Sequence, residues 1–193
     1  MRMKRVVIPF IISLLAFVSC NQTGRIVTDT PIKTNILGIE LCKKITTSEV
    51  ADALMKHTDK YFTCMPQKGS VSEIYRSFPM DMNFAYGGLS WTYVDIGVTK
   101  DKEVYTVYLV GSYESVENAQ KQFDAAAELF TQKYGKGNKV EDGAMFWTDN
   151  TNSVGLRYYA SSALNGADRS FCELYYINIA LSDKVEEENQ LDI

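Results

Sequence analysis

Histidine is nearly missing from this chain of 193 residues; His57 is the single one. That scarcity excludes every site that needs two imidazoles. His57 itself falls in the last turn of a predicted helix, where a partly charged imidazole suits the helix dipole, which is a structural place and not that of a general base. The sequence also lacks a G-x-S-x-G nucleophile elbow, a phosphate-cradling glycine loop and an H-E-x-x-H metal helix. Acids do occur in "EDG", "DNTN" and "DRS", but these are turn contexts, and a paired-carboxylate hydrolase needs a convergence in space that spacing does not supply. The reading is therefore of a protein that is not an enzyme, with no catalytic residue, no metal and no cofactor. Basic clusters are missing too. With 20 Lys and Arg against 24 Asp and Glu, a net charge of −4 and no run of cations, nucleic acid is excluded as a partner.

Long apolar runs are limited to one, residues 6–18, interrupted only by Ser13 and preceded by Arg2, Lys4 and Arg5. It is shorter than the ~20 residues that a spanning helix needs. A charged start followed by such a run reads as a secretory signal over residues 1–19. Conventional cleavage wants small residues at the cut and two positions before it, and a cut after Ser19 would put Phe17 at the earlier one. Phe17, Val18, Ser19 and Cys20 instead resemble a bacterial lipobox, in which the cysteine receives lipid on its sulfur. The resemblance implies Cys20 as the lipidation site and a membrane bound through that lipid and not crossed. Asn21 in place of Asp after the cysteine implies the outer membrane, and the late first acid, Asp29, its periplasmic face. Residues 20–35 read as lipidated cysteine and flexible tether, and the acidic residues 183–193 as a disordered tail.

Cysteine is scarce as well. Beyond Cys20 there remain Cys42, Cys64 and Cys172, whose spacings suit no zinc site. In an oxidising compartment one disulfide and one spare thiol is the natural count, and Cys42 with Cys64, flanking the first helix, is the candidate pair.

Between tether and tail, residues 36–182 read as a single α+β domain. "TTSEVADALMKHT" opens with a capping box, Thr46 to Glu49, and continues with an apolar stripe of Val50, Leu54 and Met55, so a helix is expected near 47–58. "YFTCM" and "DMNFAYGG" suggest strands, the second ending at a Gly87-Gly88 turn. "TYVDIGV" alternates Thr92, Val94, Ile96 and Val98 against Tyr93, Asp95 and Gly97; "VYTVYLVG" returns with Tyr105, Val107 and Leu109 on one face and Thr106 and Tyr108 on the other. A long helix follows, with Ser112 as the expected N-cap and Gly135 at its end, its apolar stripe made of Val116, Ala119, Phe123, Ala126, Ala127, Phe130 and Tyr134. The strands "AMFWT", "SVGLRYY" and "FCELYYINIAL" close the domain. This order predicts an antiparallel β-sheet with two amphipathic helices packed on one side, and a helix followed by a meander, occurring twice, hints at two related halves.

The segments "ILGIEL", "TSEVADAL", "VYLVGSYES", "ELFTQKYG" and "FWTDN…GLRYY…ELYYI" resemble cell-envelope lipoproteins of the Bacteroides type. More distantly, helix-then-meander halves are similar to the β-lactamase-inhibitor-protein fold and to the small lipoproteins of β-barrel assembly. That resemblance implies binding in place of catalysis, with an envelope protein as the partner. Aromatics are the one abundance: 12 Tyr, nine Phe and two Trp. Trp91 and Tyr93, joined by Tyr108 from the neighbouring strand, form the candidate binding surface, since such side chains combine apolar area with a polar tip. A glycan is the alternative ligand for it.

Overall fold

The computed structural model describes residues 25–80, 83–141, 143–161 and 169–191. The leader 1–19 and Cys20 lie outside the described residues, and no helix among those residues is long and apolar enough to cross a membrane.

Two short strands, β1 (Asn35–Ile36) and β2 (Ile39–Glu40), pair around a turn in which Leu37 and Gly38 both take positive φ. Glycine suits this turn for a second reason. A Cβ on Gly38 would come within 2.7 Å of the His57 ring, so the histidine covers the backbone there. Helix α1 (Thr47–Thr58) starts at the expected capping box, in which Glu49 N donates to Thr46 Oγ1 at 3.4 Å and Thr46 N to Glu49 Oε2 at 2.8 Å. Two otherwise orphaned donors are thereby satisfied. Its inward face buries Val50 and Leu54 completely, contributing about 1.5–3 kcal/mol each.

Strands β3 (Phe62–Lys68) and β4 (Ser72–Pro79) follow. A small hairpin, β5 (Phe84–Tyr86) and β6 (Leu89–Trp91), then interrupts the sheet before β7 (Tyr93–Thr99) and β8 (Val104–Tyr113). Helix α2 (Val116–Tyr134) leads into β9 (Asn138–Glu141), β10 (Ala144–Thr148), β11 (Asn152–Ser161) and β12 (Arg169–Asn178); α3 (Ile179–Leu191) comes last. Eight strands make one antiparallel sheet in the order β3-β4-β7-β8-β12-β11-β10-β9. Each half is a helix followed by four strands of this sheet, with β5 and β6 inserted in the first half, and the last strands of the halves, β8 and β12, pair at the centre. The predicted α+β class, with α1 and α2 on one face, is what forms. Between them and the sheet lies a core of Val94, Ile96, Leu109, Leu156 and Leu174 from the strands, with Leu54, Ala119 and Ala126 from the helices.

Several local expectations are corrected. Ser112 is not the N-cap of α2, because β8 continues through it, pairing it with Phe171; Ser115 caps instead, its side chain accepting from Asn118 N at 3.2 Å. Tyr105 does not share a face with Val107 and Leu109. The β7–β8 register shifts beside it, Gly97 opposing Thr106 and Val98 opposing Val104, so Tyr105 is an extra residue that turns over Gly97 to the other side. The tether reading fails from residue 25 onward. Ile26 exchanges 2.7 Å hydrogen bonds with the Asn138 side chain, Thr28 N donates to Thr148 O, Ile32 N donates to Asp149 Oδ2, and Ile32 is buried. This segment runs beside the end of β10, past the point where β9 stops pairing with it, and so satisfies the backbone carbonyl of Thr148 there.

The disordered-tail reading fails as well for residues 183–191, while 192 and 193 lie outside the described residues. The strand stops at Asn178, whose Oδ1 accepts from Leu181 N at 3.1 Å and so starts α3. Val185 is buried beside Val71, Tyr105 and Leu181, which seats α3 at one end of the sheet face opposite α1 and α2.

Candidate functional site

In a sheet with one helix-covered face, alternate side chains must emerge on the other. Here those residues are neither plainly apolar nor plainly solvated. Arg76 on β4, Asp95 on β7, Tyr108 on β8 and Tyr175 on β12 stand side by side in register, and Gly155 on β11 extends the row. The neighbouring row runs Tyr93, Val110, Glu173, Arg157. Arg76, Asp95 and Tyr108 from the first row and all four residues of the second line a cavity of about 300 Å³, to which Tyr105 also contributes.

Two ion pairs dominate it. Arg76 grips Asp95 with two prongs, Nε to Oδ1 at 2.8 Å and Nη2 to Oδ2 at 2.5 Å. Glu173 accepts from Arg157 Nε at 2.5 Å with one oxygen and from the Tyr159 hydroxyl at 2.8 Å with the other. Both guanidinium groups also lie over aromatic rings, Arg76 over Tyr93 and Arg157 over Tyr159, each at 5.1 Å. Between the pairs Tyr108 and Tyr175 stack at 5.5 Å. The Tyr175 ring lies across Gly155, where any Cβ would collide with it.

Burial sets the charge states. It raises the Asp95 carboxyl above the usual range, against the opposing pull of Arg76. The hydrogen bond to Asp95 raises Arg76. Burial alone would lower Arg157, and the charge and hydrogen bond of Glu173 reverse that into a net rise. Tyr93 is pushed up to about 12, first by burial and then by the Asp95 charge. Burial likewise raises Tyr108, Tyr159 and Tyr175.

Every carboxylate oxygen of Asp95 and Glu173 therefore already accepts a hydrogen bond from an arginine or a phenol. These bonds fix the position of both carboxylates and the charge pattern of the face. Open hydrogen-bonding capacity lies with the Tyr93 and Tyr108 hydroxyls, which bond to no described residue.

The predicted binding surface is thus partly assembled. Tyr93 and Tyr108 come together in the cavity. Trp91 does not, because the chain breaks its alternation at Thr92, where the backbone N–H reaches Val110 O; Trp91 is fully buried in the helix-side core with its indole N–H donating to Tyr86 O at 3.1 Å. The expected Cys42–Cys64 bridge is not made: Cys42 is an exposed free thiol in the loop paired to Val104, and Cys64 a half-buried free thiol on β3. Cys172 is free and buried, which raises its thiol far above the ordinary range. His57 is exposed at the end of α1. Arg76, Arg157, Tyr159 and Glu173 escaped the sequence reading; the available signal was a charged residue at mid-strand in "EIYRSF", "GLRYY" and "CELYY".

No family model, curated protein or solved structure matches this chain. The geometry of the open sheet face therefore carries the functional reading.

Proposed function

We propose that this chain is a non-catalytic binding module that grips a segment of an envelope protein with its open sheet face. The observation that carries the reading is the pair of largely buried arginine–carboxylate contacts on that face, with side-chain exposures of 12% and 8% for Arg157 and Glu173 and 31% and 14% for Arg76 and Asp95. Desolvating such pairs costs as much as their attraction returns, so apolar residues would stabilise the sheet at least as well. A fixed pattern of charge framed by tyrosines is instead what protein recognition uses, since Tyr and Arg dominate binding hot spots and charge complementarity selects partners. Its address would be the periplasmic side of the outer membrane, held by lipid on Cys20; the support is the short apolar leader and the lipobox-like Phe17-Val18-Ser19-Cys20. A glycan reading loses its main side chain with Trp91 in the core.

A photo-crosslinking residue placed at Tyr108, with Lys56 on the exposed side of α1 as control, tests this in cells. A protein adduct of discrete mass from position 108 and not from position 56 is the expected result. Identical adducts at both positions, or none at 108, would overturn the proposal.

A further inference from the structure

A second cavity, of about 400 Å³, opens on the helix side between the β5–β6 hairpin and α2. Its floor is Leu174 and Tyr176, both almost fully buried, and its walls are Leu89 and Phe130. Two cations stand at this apolar hollow: Lys33, from the segment before β1, and Lys133, from the last turn of α2. Tyr134 positions both. Its hydroxyl accepts from the backbone N–H of Lys33 at 3.3 Å, and the Lys133 ammonium lies 4.8 Å over its ring. The Lys33 ammonium lies 5.5 Å over Tyr86. Neither lysine has a carboxylate partner among the described residues. In a chain with net charge −4, two unneutralised ammonium groups beside one apolar cavity form a local reversal of sign.

We propose that this cavity binds a small amphiphilic carboxylate, its apolar body against Leu89, Phe130 and Tyr176 and its head between Lys33 and Lys133. The volume falls in the range of small-ligand pockets, which are mostly apolar with a few placed polar groups. A carboxylate suits the site better than a phosphate. A doubly charged head loses more hydration beside apolar walls, and two flexible ammonium groups offer it little of the donor cage that would compensate.

Calorimetric titration of the purified full chain tests the assignment, with octanoate as probe and octanol, octylammonium and octyl phosphate as comparisons. Octanoate is expected to bind saturably, one per chain, and at least about tenfold more tightly than octanol, with affinity falling as salt rises. The double variant Lys33→Gln/Lys133→Gln is expected to lose about tenfold for octanoate while octanol is unchanged. Tyr108→Ala, on the opposite face, should leave octanoate binding intact, which separates this site from the sheet-face proposal. Equal binding of octanol, preference for octylammonium or octyl phosphate, an unaffected double variant, or no saturable octanoate binding would each overturn it.

Discussion

Glu173 and Arg157 face each other across β12 and β11 as a register pair, joined at 2.5 Å and nearly withdrawn from water. Removing one partner strands the other. Arg157→Leu is expected to destabilise the fold by about 3–5 kcal/mol, whereas Arg157→Leu/Glu173→Leu should restore most of that loss. Urea denaturation of the two variants measures the difference. If the sheet face serves recognition, the stable double variant also loses the adduct captured at position 108.

Trp91 is a core residue in this fold, so its replacement should act on stability. Trp91→Ala is expected to cost about 3–5 kcal/mol through the cavity it leaves. Trp91→Phe should cost less, the larger share of it the lost indole bond to Tyr86 O and the reduced contact area. Denaturation midpoints check both, and if the sheet face serves recognition the Phe variant should still give the adduct at position 108.

The phenols of the open face make the fold sensitive to alkali. Tyr93 titrates near 12 when folded against 10.0 for the ordinary group, so between these values the folded chain holds a proton that the unfolded chain has released. The Tyr93 contribution to stability is thus fully present below pH 10 and is lost as pH rises through about 12. Tyr108, Tyr159 and Tyr175 are shifted the same way and add to the slope. Thermal melts across this range should show it, with a shallower decline for Tyr93→Phe.

Asn178 ends a strand and starts a helix with one side chain, Oδ1 accepting from Leu181 N and Nδ2 donating to Asn152 Oδ1 at 3.1 Å. Asn178→Ala should cost about 1–3 kcal/mol. Amide exchange should quicken first at Leu181 and along α3, while the α1 amides keep their protection. Asn178→Ser, which can still cap, should retain more of the α3 protection.

Much of the fold was written locally. The capping box of Thr46 and Glu49, the period-two alternation from Tyr93 to Val98, the Gly87-Gly88 turn and, apart from the exposed Val116 in the first turn, the inward stripe of α2 each depend on neighbours within a few residues and formed as expected. Where local patterns were ambiguous, the expectation failed. Ile177, Ile179 and Leu181 suit a continuing strand as well as they suit a helix, and the Asn178 cap decided between them. Strand alternation was projected through Thr92 and Tyr105, and a break at one and a bulge at the other moved Trp91 into the helix-side core and Tyr105 to the opposite face, where it is buried beside Val71 and Val185.

By itself the amino-acid order determined the α+β class, the positions of α1 and α2 and a shortage of imidazoles that narrows the available chemistry. Only the tertiary structure decided what occupies the open face, because Arg76 meets Asp95 and Arg157 meets Glu173 through strand register across 19 and 16 residues of chain. A charge pair of that kind leaves no mark at either position alone. Its existence depends on a distance, and distances between strands are set by how the whole sheet closes over its core.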